Sequence, residues 1–329
     1  MEKRKWFAAA AASVGMLALI LDSRTAFSGA AQGVELCLKT VIPSLFPFLF
    51  LSGIFSAAFS GGSLPGLRFL GQAFALPPKM EYLLVPAFLG GYPVGAQCVS
   101  DAYASGCLSR RKAEKMLAFC SNVGPAFLFG ILSSKFQREN LVWAIWGIQI
   151  LSAWTAARLF ADPEADNESP GKVRNPPQAG IEPAIQAMLK ICGWIILFRV
   201  VIAFLDRWIL WAVGTDGRIA IIGLLELSNG CCCLHLISHE GVRFVICNVL
   251  LAFGGLCVAY QTASVCRGLK LRYYFAGKML QGCTAAFLSA AFYGQQWALF
   301  PVWAGATLLI SMYLQKTVEI PHCLVYNLL

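Results

Sequence analysis

Charge is scarce in this chain. Asp, Glu, Lys and Arg make up 13% of its 329 residues, against about a quarter in a typical soluble domain. Histidine is scarcer still, with three in all, which leaves few ligands for a histidine-rich metal site. No G-x-S-x-G, H-E-x-x-H or Walker loop occurs, so the common serine-hydrolase, zinc-protease and P-loop chemistries have no anchor. The chain reads as a non-enzyme. Its cysteines number 13, yet no CxxC pair is among them. Most lie inside apolar runs (Cys37, Cys98, Cys120, Cys192, Cys247, Cys257, Cys283), where they serve as small hydrophobes that let helices pack closely. What the chain has in quantity is apolar surface. Its hydrophobic fraction is 58% and its mean hydropathy +0.65. A helix needs ~20 apolar residues to cross a bilayer, so the length suits one all-α polytopic bundle of about eight transmembrane helices.

The formal charge of +9 is no nucleic-acid signal. The basic residues fall in short clusters between apolar runs, the pattern of loops held on the cytoplasmic side. Residues 1–21 have the basic head and apolar run of a signal peptide. Asp22 and Arg24 follow with no small-residue cleavage site, so the segment reads as a retained first helix. Cys231, Cys232 and Cys233 with His235 and His239 form the densest set of soft ligands. Structural cysteines are the favoured reading there, and metal binding stays open.

Two stretches break membrane-length apolar segments with glycine, proline and polar groups. They are Gly90-Gly91-Tyr92-Pro93-Val94-Gly95-Ala96 and Cys120-Ser121-Asn122-Val123-Gly124-Pro125-Ala126-Phe127. An unpaired amide in hydrocarbon costs several kcal/mol, so irregular backbone persists there only where it lines a protein cavity. Broken helices of this kind mark solute sites near the bilayer midplane. Spans are expected at 6–21, at 37–59 with kinks at Pro43 and Pro47, at 141–160, 185–205, 275–293 and 297–314. Residues 61–78 form a Gly/Pro-rich connection. The segment 82–105 is broken at 90–95. A helix capped by Ser109 runs to Cys120, breaks at 122–125 and resumes to 132. In the second half, 219–237 breaks at Ser228-Asn229-Gly230, and 244–265 breaks at Gly254-Gly255. The acidic, Pro-rich stretch 162–180 divides an N-terminal half, 1–160, from a C-terminal half, 181–329. If both broken hairpins are re-entrant, the clusters at Lys3-Arg4-Lys5, Arg110–Lys115 and Arg267–Arg272 all fall on one face with both termini cytoplasmic. The halves then form inverted repeats.

Several motifs are familiar in this order: Val41-Ile42-Pro43-Ser44-Leu45-Phe46-Pro47-Phe48, Gly91-Tyr92-Pro93-Val94-Gly95-Ala96, the run Leu117-Ala118-Phe119-Cys120-Ser121-Asn122-Val123-Gly124-Pro125-Ala126-Phe127, Leu225-Glu226-Leu227-Ser228-Asn229-Gly230, and Phe253-Gly254-Gly255-Leu256 with Gln261. Over roughly residues 41–280 the chain resembles the YlbJ-type sporulation integral membrane proteins. These belong to the wider nucleoside-recognition, or Gate-domain, group. The resemblance implies a polytopic protein of the cell membrane with a transport or gating role linked to sporulation. Ser121 stands where many relatives carry a second Asn.

The candidate site residues are Tyr92, Pro93, Gly95, Asn122, Gly124, Glu226, Ser228, Asn229 and Gln261. Asn122 either contacts a polar solute or caps the half-helix that follows. Tyr92 and Pro93 either line the site or shape a tight turn, and Ser228 and Asn229 are their symmetry counterparts. Glu226 carries transport coupling, pairs with an arginine, or sits at the interface. Arg199 is its natural partner, because lone charges in a bilayer are costly. Asp101 is interfacial. No cofactor is expected. The expected partners are the lipid bilayer, further copies of the chain and a small polar solute, nucleosides among the candidates; nucleic acid is not. The leading function is transport of that solute. The competing one is a non-transporting membrane component of a spore-envelope assembly.

Overall fold

The structure is a computed structural model that describes residues 2–60, 62–138, 140–160, 179–266 and 268–317. The polar stretch between the halves and Arg267 lie outside the described residues. Every regular element among the described residues is a helix, with no strand. Three helices among them are long and apolar enough to cross a membrane: Ser23–Phe59, Ile181–Trp208 and Glu240–Val265. This fits an α-helical membrane protein. Asn140–Phe160 and Arg272–Tyr293 have the length but carry buried polar groups, including Gln149, Ser152, Lys278 and Gln281, which lower their hydropathy.

The first long helix begins 14 residues earlier than the expected start at Cys37. Residues Ser23–Leu36 are α-helical, Cys37–Val41 form a π turn, and Ile42–Phe59 resume the α-helix. Pro43 and Pro47 explain the irregularity. Each lacks an amide and crowds the carbonyl four residues back. The amide of Ile42 bonds to the carbonyl of Cys37, five residues back, so the helix is re-registered without ending. Only 17% of this helix's most apolar window is buried, against 61% in Glu240–Val265. An apolar helix with so much open surface suits lipid rather than water.

Small residues set the closest contacts. Gly29 and Gly33 form a G-x-x-x-G step against Ile181–Trp208. A Cβ on Gly29 would lie 2.9 Å from Ala203 Cβ, and one on Gly33 would lie 2.9 Å from Ile196 Cα. Close backbone approach of this kind supplies the packing that holds helices together in lipid. Helix Arg272–Tyr293 packs on both Glu240–Phe253 and Asn140–Phe160. At Gly277 a Cβ would come within 2.1 Å of the Ala118 carbonyl, so this helix runs directly over the first break.

The hairpin 82–105 is built of Leu84–Leu89 and Val94–Ala104 joined through Gly90–Pro93. The serine expected to cap the next helix sits at the cap position of Arg110–Met116 but makes no capping hydrogen bond. Glu114, one turn in, accepts from Arg110 Nε at 2.9 Å and from the backbone amide of Lys270 at 3.0 Å. Two of the basic loops read from the sequence therefore meet.

Candidate functional site

Both broken regions open onto one cavity of about 60 Å³. Its wall is largely apolar, with Leu45, Phe48, Val123, Phe127, Ile191 and Val258 among its members. Five polar side chains converge on it: Ser44, Tyr92, Glu226, Ser228 and Gln261.

Glu226 is the centre of the second break. Its backbone is extended (φ −142°, ψ 113°) between helices Thr215–Leu225 and Leu227–Cys233. The break expected at Ser228-Asn229-Gly230 therefore lies at Glu226, and those three residues begin the second half-helix. The reason is capping. The carboxylate reaches forward to accept from Ser228 N at 3.1 Å and from both Asn229 N and Asn229 Nδ2 at 2.7 Å. It satisfies amides that a helix start leaves free. Glu226 is 1% exposed and also borders the cavity, so one carboxylate both shapes the break and faces the space beside it.

The expected pairing of Glu226 with Arg199 is absent. Arg199 donates to Gln32 Oε1 on the neighbouring helix. With Asp206, Thr215 and Arg218 it lines a second cavity of about 360 Å³. Three amide donors already hold the Glu226 carboxylate, which removes the need for a cation. Asn229 reaches this second cavity rather than the first.

The first break is pinned differently. Asn122 Nδ2 donates to Phe119 O at 2.7 Å and to Ala87 O at 3.2 Å. It ties the broken helix to the hairpin and does not line the cavity. Gly95 packs on the same break: a Cβ there would fall 1.8 Å from the Cys120 carbonyl. Pro93 precedes Val94–Ala104 and is likewise absent from the wall. Gly124 does line the cavity, against Gly91, which adopts φ +78°. Gln261 lines it too, with its Nε2 donating to Cys257 Sγ at 3.4 Å. Of the nine candidates, Tyr92, Gly124, Glu226, Ser228 and Gln261 come together around one space. Pro93, Gly95, Asn122 and Asn229 do not line it.

The residue that sequence reasoning missed is Lys278. It is 1% exposed on helix Arg272–Tyr293. Its Nζ donates to the Ser121 carbonyl in the first break. It also donates to Tyr92 Oη and Gln281 Oε1, each at 3.2 Å, and lies 4.8 Å from the Tyr92 ring centre. Tyr92 in turn donates its hydroxyl proton to Leu251 O at 2.6 Å, one turn before Gly254 (φ +83°) breaks the next helix. Gln281 Nε2 donates to Ala118 O at 2.6 Å. The signal was a single lysine within the apolar run 275–293.

The cysteine–histidine set does not close on a metal. His235 Nδ1 contacts the Cys232 carbonyl, and His239 caps the following helix through Val242 N. Among the described residues no group of three or more His, Cys, Asp or Glu is placed to hold an ion. The two histidines fall on separate elements rather than one helical face.

No family model, curated protein or solved structure matches this chain.

Proposed function

We propose that this chain moves a small polar solute across the cell membrane by alternating exposure of the cavity between its two broken regions. The observation that carries the reading is the convergence of both breaks, with Tyr92, Glu226, Ser228 and Gln261, on one cavity. Irregular backbone beside a cavity within an apolar bundle is the usual setting of a transport site. At about 60 Å³ the cavity is small, and a nucleoside-sized solute requires the hairpin and the broken helices to separate.

The finer reading joins to this one. Two re-entrant hairpins in inverted repeats, about eight spans, cytoplasmic termini and a role in sporulation follow from the charge pattern and the Gate-group resemblance. The contact of Lys270 with Glu114 supports a shared face for two basic loops. A scaffold in a spore-envelope assembly would call for breaks filled by packed side chains, and the cavity between the breaks favours transport over it.

Thermal-shift measurements on the purified protein in detergent test the proposal, with nucleosides, amino acids, organic acids and metal ions as probes. A ligand of this site raises the Tm of the wild type and loses its effect in Ser228→Val and Gln261→Leu. If no class shifts the wild type, or the shift survives both substitutions, the cavity is not the binding site.

A further inference from the structure

We propose that the Lys278 ammonium is the resident cation of a monovalent-cation site formed where the first hairpin, the first broken helix and helix Arg272–Tyr293 meet, so that this point of the transport cycle draws on no free sodium or potassium. The inference deepens the transport reading and rests on it for its functional meaning.

The donor set is that of a cation site. Lysine has three N–H donors and no acceptor, and Nζ finds three oxygens: the Ser121 carbonyl, Tyr92 Oη and Gln281 Oε1. Each of these oxygens is neutral. No carboxylate pairs with Lys278, although it is 1% exposed and an unpaired buried charge is costly. Compensation comes instead from dipoles. The Ser121 carbonyl lies in the irregular stretch that follows helix Arg110–Met116, and its dipole points a partial negative charge at Nζ. The Tyr92 hydroxyl gives its proton to Leu251 O and so presents its lone pairs to Nζ. The face of the same ring lies 4.8 Å away, within cation–π range. The Oγ of Ser121 is fully buried with no partner, a spare oxygen beside the cage.

A single positive charge held by neutral oxygens suits a monovalent ion. Divalent cations recruit carboxylates, and none is present. Carbonyls of an unwound helix at the junction of broken elements are where transport folds bind coupling ions. Here a covalent tether brings the charge, and the stem of Lys278 fills the space a free ion and its water would need.

Lys278→Ala tests the assignment, because it removes the tethered charge and opens that space. The full-length variant is purified in sodium chloride, potassium chloride and choline chloride at equal ionic strength. Sodium or potassium is expected to raise its Tm above the choline value by about 2 °C, the size for an ion at roughly tenfold its dissociation constant. The wild type shows no such difference. Lys278→Met, which refills the stem without charge, shows none either. Equal folded yield and Tm of Lys278→Ala in all three salts, nil yield included, overturns the proposal. So does a sodium- or potassium-specific shift in the wild type. No solute enters these measurements, so their failure leaves the cavity's role in transport to its own test.

Discussion

Glu226 and Lys278 are both about 1% exposed, yet neither meets an opposite charge. Each is held by backbone and neutral polar groups at a break. For Glu226 the consequence is measurable. Glu226→Gln keeps one acceptor for Asn229 but turns an amide donor toward Ser228 N, which now donates at 3.1 Å. Losing one charge-assisted bond and leaving an amide unsatisfied is expected to cost about 1–3 kcal/mol in unfolding stability. Glu226→Asp, a preferred capping residue, should keep more of it. Arg199 contacts Gln32 and not Glu226, so Arg199→Leu and Glu226→Gln should add, with coupling below about 0.5 kcal/mol. A double-mutant cycle by chemical denaturation reads this. Coupling well above that value would restore the ion pair that sequence reasoning favoured. Gly95 gives a steric counterpart: with a Cβ 1.8 Å from the Cys120 carbonyl, Gly95→Val should abolish recovery of folded protein, read by size-exclusion chromatography.

At the scale of elements, breaks made by glycine and proline were legible because those residues change backbone options directly. The hairpin turn 90–93, the interruption before Pro125 and the left-handed Gly254 all fall where the sequence puts them. The break at Glu226 was misplaced because Ser-Asn-Gly is a turn-forming run, while the carboxylate that creates the break acts forward onto amides two and three residues on. The early start of the helix Ser23–Phe59 was hidden because Ser23, Arg24, Gln32 and Glu35 make its first turns polar. The same turns hold the Gly29–Gly33 step against Ile181–Trp208. Gly33→Leu would place a side chain against Ile196 Cα, already 2.9 Å from a simple Cβ. Overpacking typically costs about 1–3 kcal/mol. The variant should lower the Tm, whereas Gly53→Leu, with open space around its Cβ, should leave it near the wild-type value.

Across the whole molecule, composition was enough for an all-helical chain with membrane-length apolar helices, since those properties are sums over many residues. Which polar residues share a cavity was less accessible. Tyr92, Gly124, Glu226, Ser228 and Gln261 are brought together by the crossing of segments far apart in sequence. Lys278 was lost in the average of an apolar run, and its hydrogen bond to the Ser121 carbonyl shows that it points into a break. Orientation in the bilayer can be argued from one contact. Glu114 accepts both from Arg110 and from the Lys270 amide, so the loops at 110 and 270 share one end of the bundle. If that end is cytoplasmic, as a basic cluster favours, single cysteines at Arg111 and Lys270 on a cysteine-free background should both resist a membrane-impermeant maleimide in intact cells. Both should react after the membrane is opened. Labelling of one position from outside and the other only from inside would separate the two loops and remove the inverted-repeat arrangement. Labelling of both from outside would keep the arrangement and reverse its orientation.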